Sequence, residues 1–69
     1  MKISARNTIK GKIIEIKEGA VNSEIILDIG GGTEITSIIT KDAVESLDLK
    51  VGGYAYAVVK ASNVMIAVD

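Results

Sequence analysis

At 69 residues the chain holds one domain at most. Lacking both cysteine and histidine, it has no disulfide, no thiolate or imidazole metal site and no imidazole general base. Its formal charge of −1 gives no general attraction to nucleic acid or to an anionic membrane. A domain this short buries only about 60% of its unfolded surface, yet 48% of its residues are hydrophobic and its mean hydropathy is +0.37. With disulfides and thiolate or imidazole metal sites excluded, oligomerisation is the support that remains.

The apolar content is almost wholly aliphatic, since Tyr54 and Tyr56 are the only aromatic residues. No apolar run approaches the roughly 18 residues of a membrane span. Nor does the start of the chain carry the apolar core of a signal peptide. The expectation is a soluble cytoplasmic protein.

In chain order, Thr8 to Glu18 interleaves Ile9, Ile13, Ile14 and Ile16 with lysines and Glu15, a β-branched strand pattern. The alternation changes phase at Ile13-Ile14, which predicts a bulge or a strand covered on both sides there, and Gly11 marks a bend or a close backbone approach. Glu18-Gly19-Ala20 reads as a turn. Val21 to Ile29 then alternates, with Val21, Ser23, Ile25, Leu27 and Ile29 on one face and Asn22, Glu24, Ile26 and Asp28 on the other, a half-buried strand. Two strands so close in sequence predict an antiparallel hairpin.

Gly30-Gly31-Gly32 is a turn that calls for positive φ. A phosphate-cradling loop would need a following Gly-Lys-Ser/Thr and a helix, whereas the next stretch, Thr33 to Thr40, is again a strand. Thr40 is placed to cap a short helix over Lys41 to Leu49, with Asp42 in its first turn and Lys50 past its end. Ala43, Val44 and Leu47 share its apolar face. After Gly52-Gly53, Tyr54 to Lys60 and Val64 to Val68 read as two further strands joined at Ser62-Asn63, both apolar enough to be covered on both faces. The order β-β-β-α-β-β predicts an all-β fold with one short helix, a five-stranded OB-like barrel over residues 1–69. An SH3-like barrel is the nearest alternative, and the helix weighs against it.

Catalysis has little to work with, so the chain is not expected to be an enzyme. The nine acids sit mostly at alternating strand or turn positions, as solvated faces and caps, and a serine nucleophile would have only lysine as its base. An OB-like fold also suggests a single-stranded nucleic-acid-binding module. That needs a basic groove with aromatic platforms, and two tyrosines on a slightly acidic chain supply little of it. They fit packing and hydrogen-bonding roles better.

Two clusters stand apart. Ser4-Ala5-Arg6-Asn7 and Lys60-Ala61-Ser62 gather a guanidinium, an ammonium, two hydroxyls and a small alanine, Ala5, whose backbone N–H can be approached closely, with no carboxylate. A fully ionised tetrahedral oxyanion only accepts hydrogen bonds, so its site should hold donors alone, the charged ones strongest. The plainer alternative is that Arg6 and Lys60 are surface charges paired with nearby acids.

Ser4-Ala5-Arg6-Asn7, then Ile9-Lys10-Gly11 and Gly19-Ala20-Val21-Asn22-Ser23, together with Lys60-Ala61-Ser62-Asn63-Val64, resemble the paired signatures of the molybdenum-pterin-binding proteins, or molbindins. The resemblance covers essentially the whole chain. It implies an OB-like domain assembled as a homohexamer, a trimer of dimers, that binds molybdate and also tungstate at subunit interfaces for intracellular storage or homeostasis. Carried over by position, Ser4, Ala5, Arg6, Lys60 and Ser62 would form one oxyanion site, joined by Thr40. Asn7 with Gly19, Ala20, Val21 and Asn22 would build a second near a symmetry axis. No residue here suggests a pterin pocket, so the implied ligand is the bare oxyanion, not a metal cation, with neither nucleic acid nor membrane as partner.

Overall fold

The computed structural model describes residues 1–69. Four strands form one antiparallel sheet: β1 over Asn7–Glu18, β2 over Asn22–Gly30, β3 over Thr33–Thr40 and β4 over Tyr54–Val59. A single helix, α1 over Lys41–Ser46, joins β3 to β4, and a 3₁₀ turn over Ala61–Asn63 follows β4. The order across the sheet is β3-β2-β1-β4. The sheet curls so that its two edge strands, β3 and β4, face each other across an apolar groove, making a half-barrel.

β1 is the spine. Its first half pairs with β4, from Asn7 opposite Val59 to Lys12 opposite Tyr54, and its second half pairs with β2, from Lys12 opposite Asp28 to Glu18 opposite Ser23. The register shifts between Ile13 and Glu15, so the phase change in the isoleucines is a β-bulge. It leaves Ile13 1% exposed and Ile14 40% exposed. At Gly11 a Cβ would lie 3.1 Å from the Asp28 carbonyl oxygen and from the Leu27 side chain, so the glycine permits the close approach of β2 where the sheet curls.

The β2–β3 hairpin closes through Gly31 and Gly32, with φ of 62° and 78°, the left-handed pair that matches the twist of a two-residue hairpin loop. On the concave side Ile13, Ile25, Leu27 and Val44 form the buried core, with Ile16, Ile29, Ile39, Leu49, Ala55 and Ala57 packed around it. Ser23 is buried with them, and its hydroxyl has no hydrogen-bond partner.

Two expectations are corrected. The strand over Val64–Val68 is absent, so the sheet has four strands and the barrel is not closed. An apolar pattern alone does not make a strand; a ladder does, and within one chain this segment pairs with neither edge strand, β3 or β4. It remains exposed, with Met65, Ile66 and Val68 at 92%, 86% and 92%. The helix is also shorter than its apolar pattern. It stops at Ser46 because Asp48 adopts φ of 53° and turns the chain away, and Lys50 pairs with Asp48 at 3.6 Å. The outer faces of both apolar stretches are uncovered within one chain: Ala55, Ala57 and Val59 turn inward, while Tyr54, Tyr56 and Val58 are exposed.

Because the bulge separates two adjacent isoleucines by burial alone, they should separate by stability. Ile13→Ala is expected to lose about 3 kcal/mol through its cavity and Ile14→Ala less than about 1 kcal/mol. Urea unfolding at a fixed protein concentration checks both; equal losses would contradict the bulge.

Candidate functional site

The β1–β4 ladder begins at Asn7 opposite Val59, so the residues just before Asn7 run beside those just after Val59. They line one open groove: Ile3, Ser4, Ala5 and Arg6 from the N-terminal arm, and Val58, Lys60, Ala61 and Ser62 from the end of β4 and the 3₁₀ turn. The turn is held by Asn63 N–H donating to the Lys60 carbonyl at 2.9 Å and by Val64 N–H donating to that of Ala61 at 3.3 Å. Clusters more than fifty positions apart thus share one groove within a single chain.

Its electrostatics follow from what is missing beside the cations. The ion pairs of the chain are Lys17–Glu24 at 3.7 Å and Lys50–Asp48 at 3.6 Å. Arg6 and Lys60 take part in neither, so they are not surface charges paired with nearby acids. None of the side-chain hydrogen bonds uses Ser4, Arg6, Lys60 or Ser62 either. The groove therefore presents two cations and two hydroxyls with free donors, and no residue lining it is acidic. Its chemical capacity is to take up an acceptor-only ligand by charge-assisted hydrogen bonds.

The remaining candidates lie elsewhere. Thr40 ends β3 on the opposite edge of the sheet, where its Oγ1 accepts from Ala43 N–H at 3.1 Å and caps α1. It stands opposite Asn22, and Lys41 N–H donates to the Val21 carbonyl at 2.8 Å. Thr40, Val21 and Asn22 therefore share one end of the molecule. The turn there is closed by Gly19 N–H donating to the Asn22 carbonyl at 2.8 Å, and a Cβ on Gly19 would fall 2.5 Å from that oxygen. Asn7 opens β1 while the turn follows its last residue, about 35 Å along the strand at 3.3 Å per residue. One chain thus brings Ser4, Ala5, Arg6, Lys60 and Ser62 together. It does not bring Thr40 to them, nor Asn7 to the Gly19–Asn22 turn.

Sequence reasoning missed the groove's apolar wall, Ile3 and Val58. For Val58 a signal existed: it stands two residues before Lys60 and so shares its face. The tyrosines are not packed within the chain. Tyr54 instead carries the Lys10 ammonium 5.3 Å above its ring.

A curled OB-like half-barrel with one polar groove, rich in donors and free of acidic residues, defines a class of small domain suited to an acceptor-only ligand. Comparison with known proteins agrees with that class. The TOBE domain model matches residues 3–66. A probable molybdenum-pterin-binding protein of Haemophilus influenzae is 49% identical over 69 residues, covering 100% of both chains. Among solved structures, MopII from Clostridium pasteurianum, in an apo form, superposes with a TM-score of 0.91 at 51% identity, covering 97% of this chain and 100% of its own. The cytoplasmic molybdate-binding protein ModG, with molybdate bound, superposes at 0.89 with 54% identity, covering 94% of this chain and 46% of its own. The chain belongs to the TOBE-domain family and, by identity over its whole length, to the molybdenum-pterin-binding proteins.

The Thr40 cap has a separable consequence. Thr40→Ala should lose about 1 kcal/mol of unfolding free energy and Thr40→Ser much less. Urea unfolding at matched protein concentration measures both, and an unchanged midpoint for Thr40→Ala would show that the cap carries no stability.

Proposed function

We propose that this protein binds molybdate, and tungstate as its near-isostere, in the groove between Ser4–Arg6 and Lys60–Ser62. It would serve intracellular storage and homeostasis of the oxyanion in the cytoplasm. The observation that carries the reading is the donor-only lining with two unpaired cations. Arg6 and Lys60 would offset the charge of the dianion, while Ser4, Ser62 and the backbone N–H groups beside Ala5 and Ala61 would orient its oxygens. A molybdate-bound relative of the same fold supports the choice of anion.

We further propose that the protein works as a homo-oligomer, the trimer of dimers that its family resemblance implies. Two surfaces of one chain support assembly. An apolar groove of about 340 Å³ lies between β3 and β4, lined by Ile35, Ile39, Leu47, Ala57 and Val59 among others. The exposed tail offers Val64, Ile66 and Val68 on one side if it is extended, as Val64 is with φ −84° and ψ 122°. Seating these three side chains in the groove of another copy would contribute on the order of 5–9 kcal/mol before association costs. It would also supply the fifth strand that one chain lacks. Thr40, Asn7 and the Gly19–Asn22 turn, apart within one chain, would then contribute to sites completed between copies. No helix is long and apolar enough to cross a membrane.

Calorimetric titration with molybdate tests the ligand. The wild-type protein should bind, and Arg6→Ala should lose about 2 kcal/mol, near thirtyfold in Kd. Binding absent from the wild type, or unaltered in Arg6→Ala, would overturn the assignment. Analytical ultracentrifugation tests assembly: the wild type should sediment as an oligomer and Ile66→Asp as smaller species. A monomeric wild type, or an undisturbed Ile66→Asp oligomer, would overturn the role of the tail.

A further inference from the structure

The groove lies at one end of a longer feature. On β1 the outward positions are Thr8, Lys10 and Lys12, with Arg6 just before the strand, and on β4 they are Tyr54, Tyr56 and Val58, with Lys60 just after it, all exposed and alternating with less exposed residues. In the ladder Thr8 stands opposite Val58, Lys10 opposite Tyr56 and Lys12 opposite Tyr54. The outer face of this two-stranded ribbon therefore carries four cations over about 20 Å, and neither Arg6–Lys12 nor Tyr54–Lys60 contains an acid. Lys10 is the best-placed of the inner pair. Its ammonium is held over the Tyr54 ring at 5.3 Å and belongs to no ion pair. Lys12 is partly offset by Asp28, which stands opposite it on β2 and whose Oδ1 accepts from Gly30 N–H at 2.8 Å.

We infer that this ribbon is an electrostatic approach path that steers the oxyanion along the convex face into the Arg6–Lys60 groove. The inference rests on the oxyanion reading above. Charges too far from a bound ion to hydrogen-bond it still raise its encounter rate, because a field of one sign on a surface concentrates counter-ions there. Lys10 stands about 13 Å from Arg6 along β1, outside hydrogen-bond reach of an anion in the groove and inside the Debye length of about 30 Å at 10 mM salt. Tyr56 and Val58 also border the concave groove assigned to the tail, but none of the ribbon's four cations lines it. A dianion responds twice as strongly as a singly charged ion to each lysine.

The test compares association and dissociation rates for molybdate, by stopped-flow on the intact oligomer, in the wild type, Lys10→Glu and Lys50→Glu. Lys50→Glu makes the same change in net charge past the end of α1, off the ribbon and outside the lining of both grooves. Screened Coulomb attraction predicts that Lys10→Glu slows association about fourfold at 10 mM salt and only about 1.5-fold at 0.15 M. Dissociation in Lys10→Glu and both rates in Lys50→Glu should stay close to wild type. Equal association rates for Lys10→Glu and wild type at low salt, a change confined to dissociation, or an equal slowing in Lys50→Glu would each overturn the steering path while leaving molybdate binding in place. Calorimetry on the wild type separates the two readings: absence of any molybdate binding there overturns the ligand assignment and the path with it.

Discussion

The antiparallel ladder between β1 and β4, from Asn7–Val59 to Lys12–Tyr54, sets the two ends of the chain side by side. The groove lined by Ser4, Arg6, Lys60 and Ser62 hangs from that ladder. The arm before β1 and the turn after β4 have few hydrogen bonds of their own; they are neighbours because the strands they extend are in register. Loop closure across some fifty residues costs only slowly more with length, so a ladder of six pairs can hold such distant segments together. The same register aligns even-numbered residues of both strands on one outer face, which is why donors at the ends and lysines and tyrosines between them form one continuous surface.

The fold is built with little to spare. Four buried hydrophobic residues make the core, and a large share of the aliphatic residues, including the whole Val64–Val68 segment, stays in water in a single chain. Exposed apolar surface on this scale marks an interface. The half-barrel stops one strand short of closure, with unpaired backbone along β3 and β4, and edge strands of this kind need covering. In the proposed function ligand site and assembly are joined physically. Residues that one chain holds apart, Thr40 on one edge and Arg6 with Lys60 beside the other, can meet only between copies. An anion bound there would stabilise the assembly by mass action.

Much of this was legible from residue order. The phase change at Ile13-Ile14 announced the bulge, the alternation from Ser23 to Leu27 announced the buried face of β2, the triple glycine announced the hairpin turn, and Thr40 announced the cap. Each is a local signal, set by side-chain period, backbone freedom or a hydroxyl within reach of a nearby N–H. The donor clusters were legible as well, because the absence of acids is a property of composition. What misled was the apolar pattern of Val64–Val68. Its residues suit a strand, but a strand requires a partner edge, and whether one exists in the same chain is a non-local matter. The end of α1 was misjudged for a similar reason: Leu47 fits the apolar stripe, while the left-handed turn at Asp48 ends the helix before it.

The sequence by itself determined the strand periods, the turns, the helix cap, the absence of histidine and cysteine and the resemblance of its two signatures to a known family. These depend on residues within a few positions of one another or on composition. Only the tertiary structure decided that the two donor clusters line one groove and that Arg6 and Lys60 are unpaired. It likewise put Thr40 at the far edge, stood Lys10 over Tyr54 and left the barrel open. Those facts depend on register and curl, which set distances between residues far apart in the chain, and no local pattern encodes them.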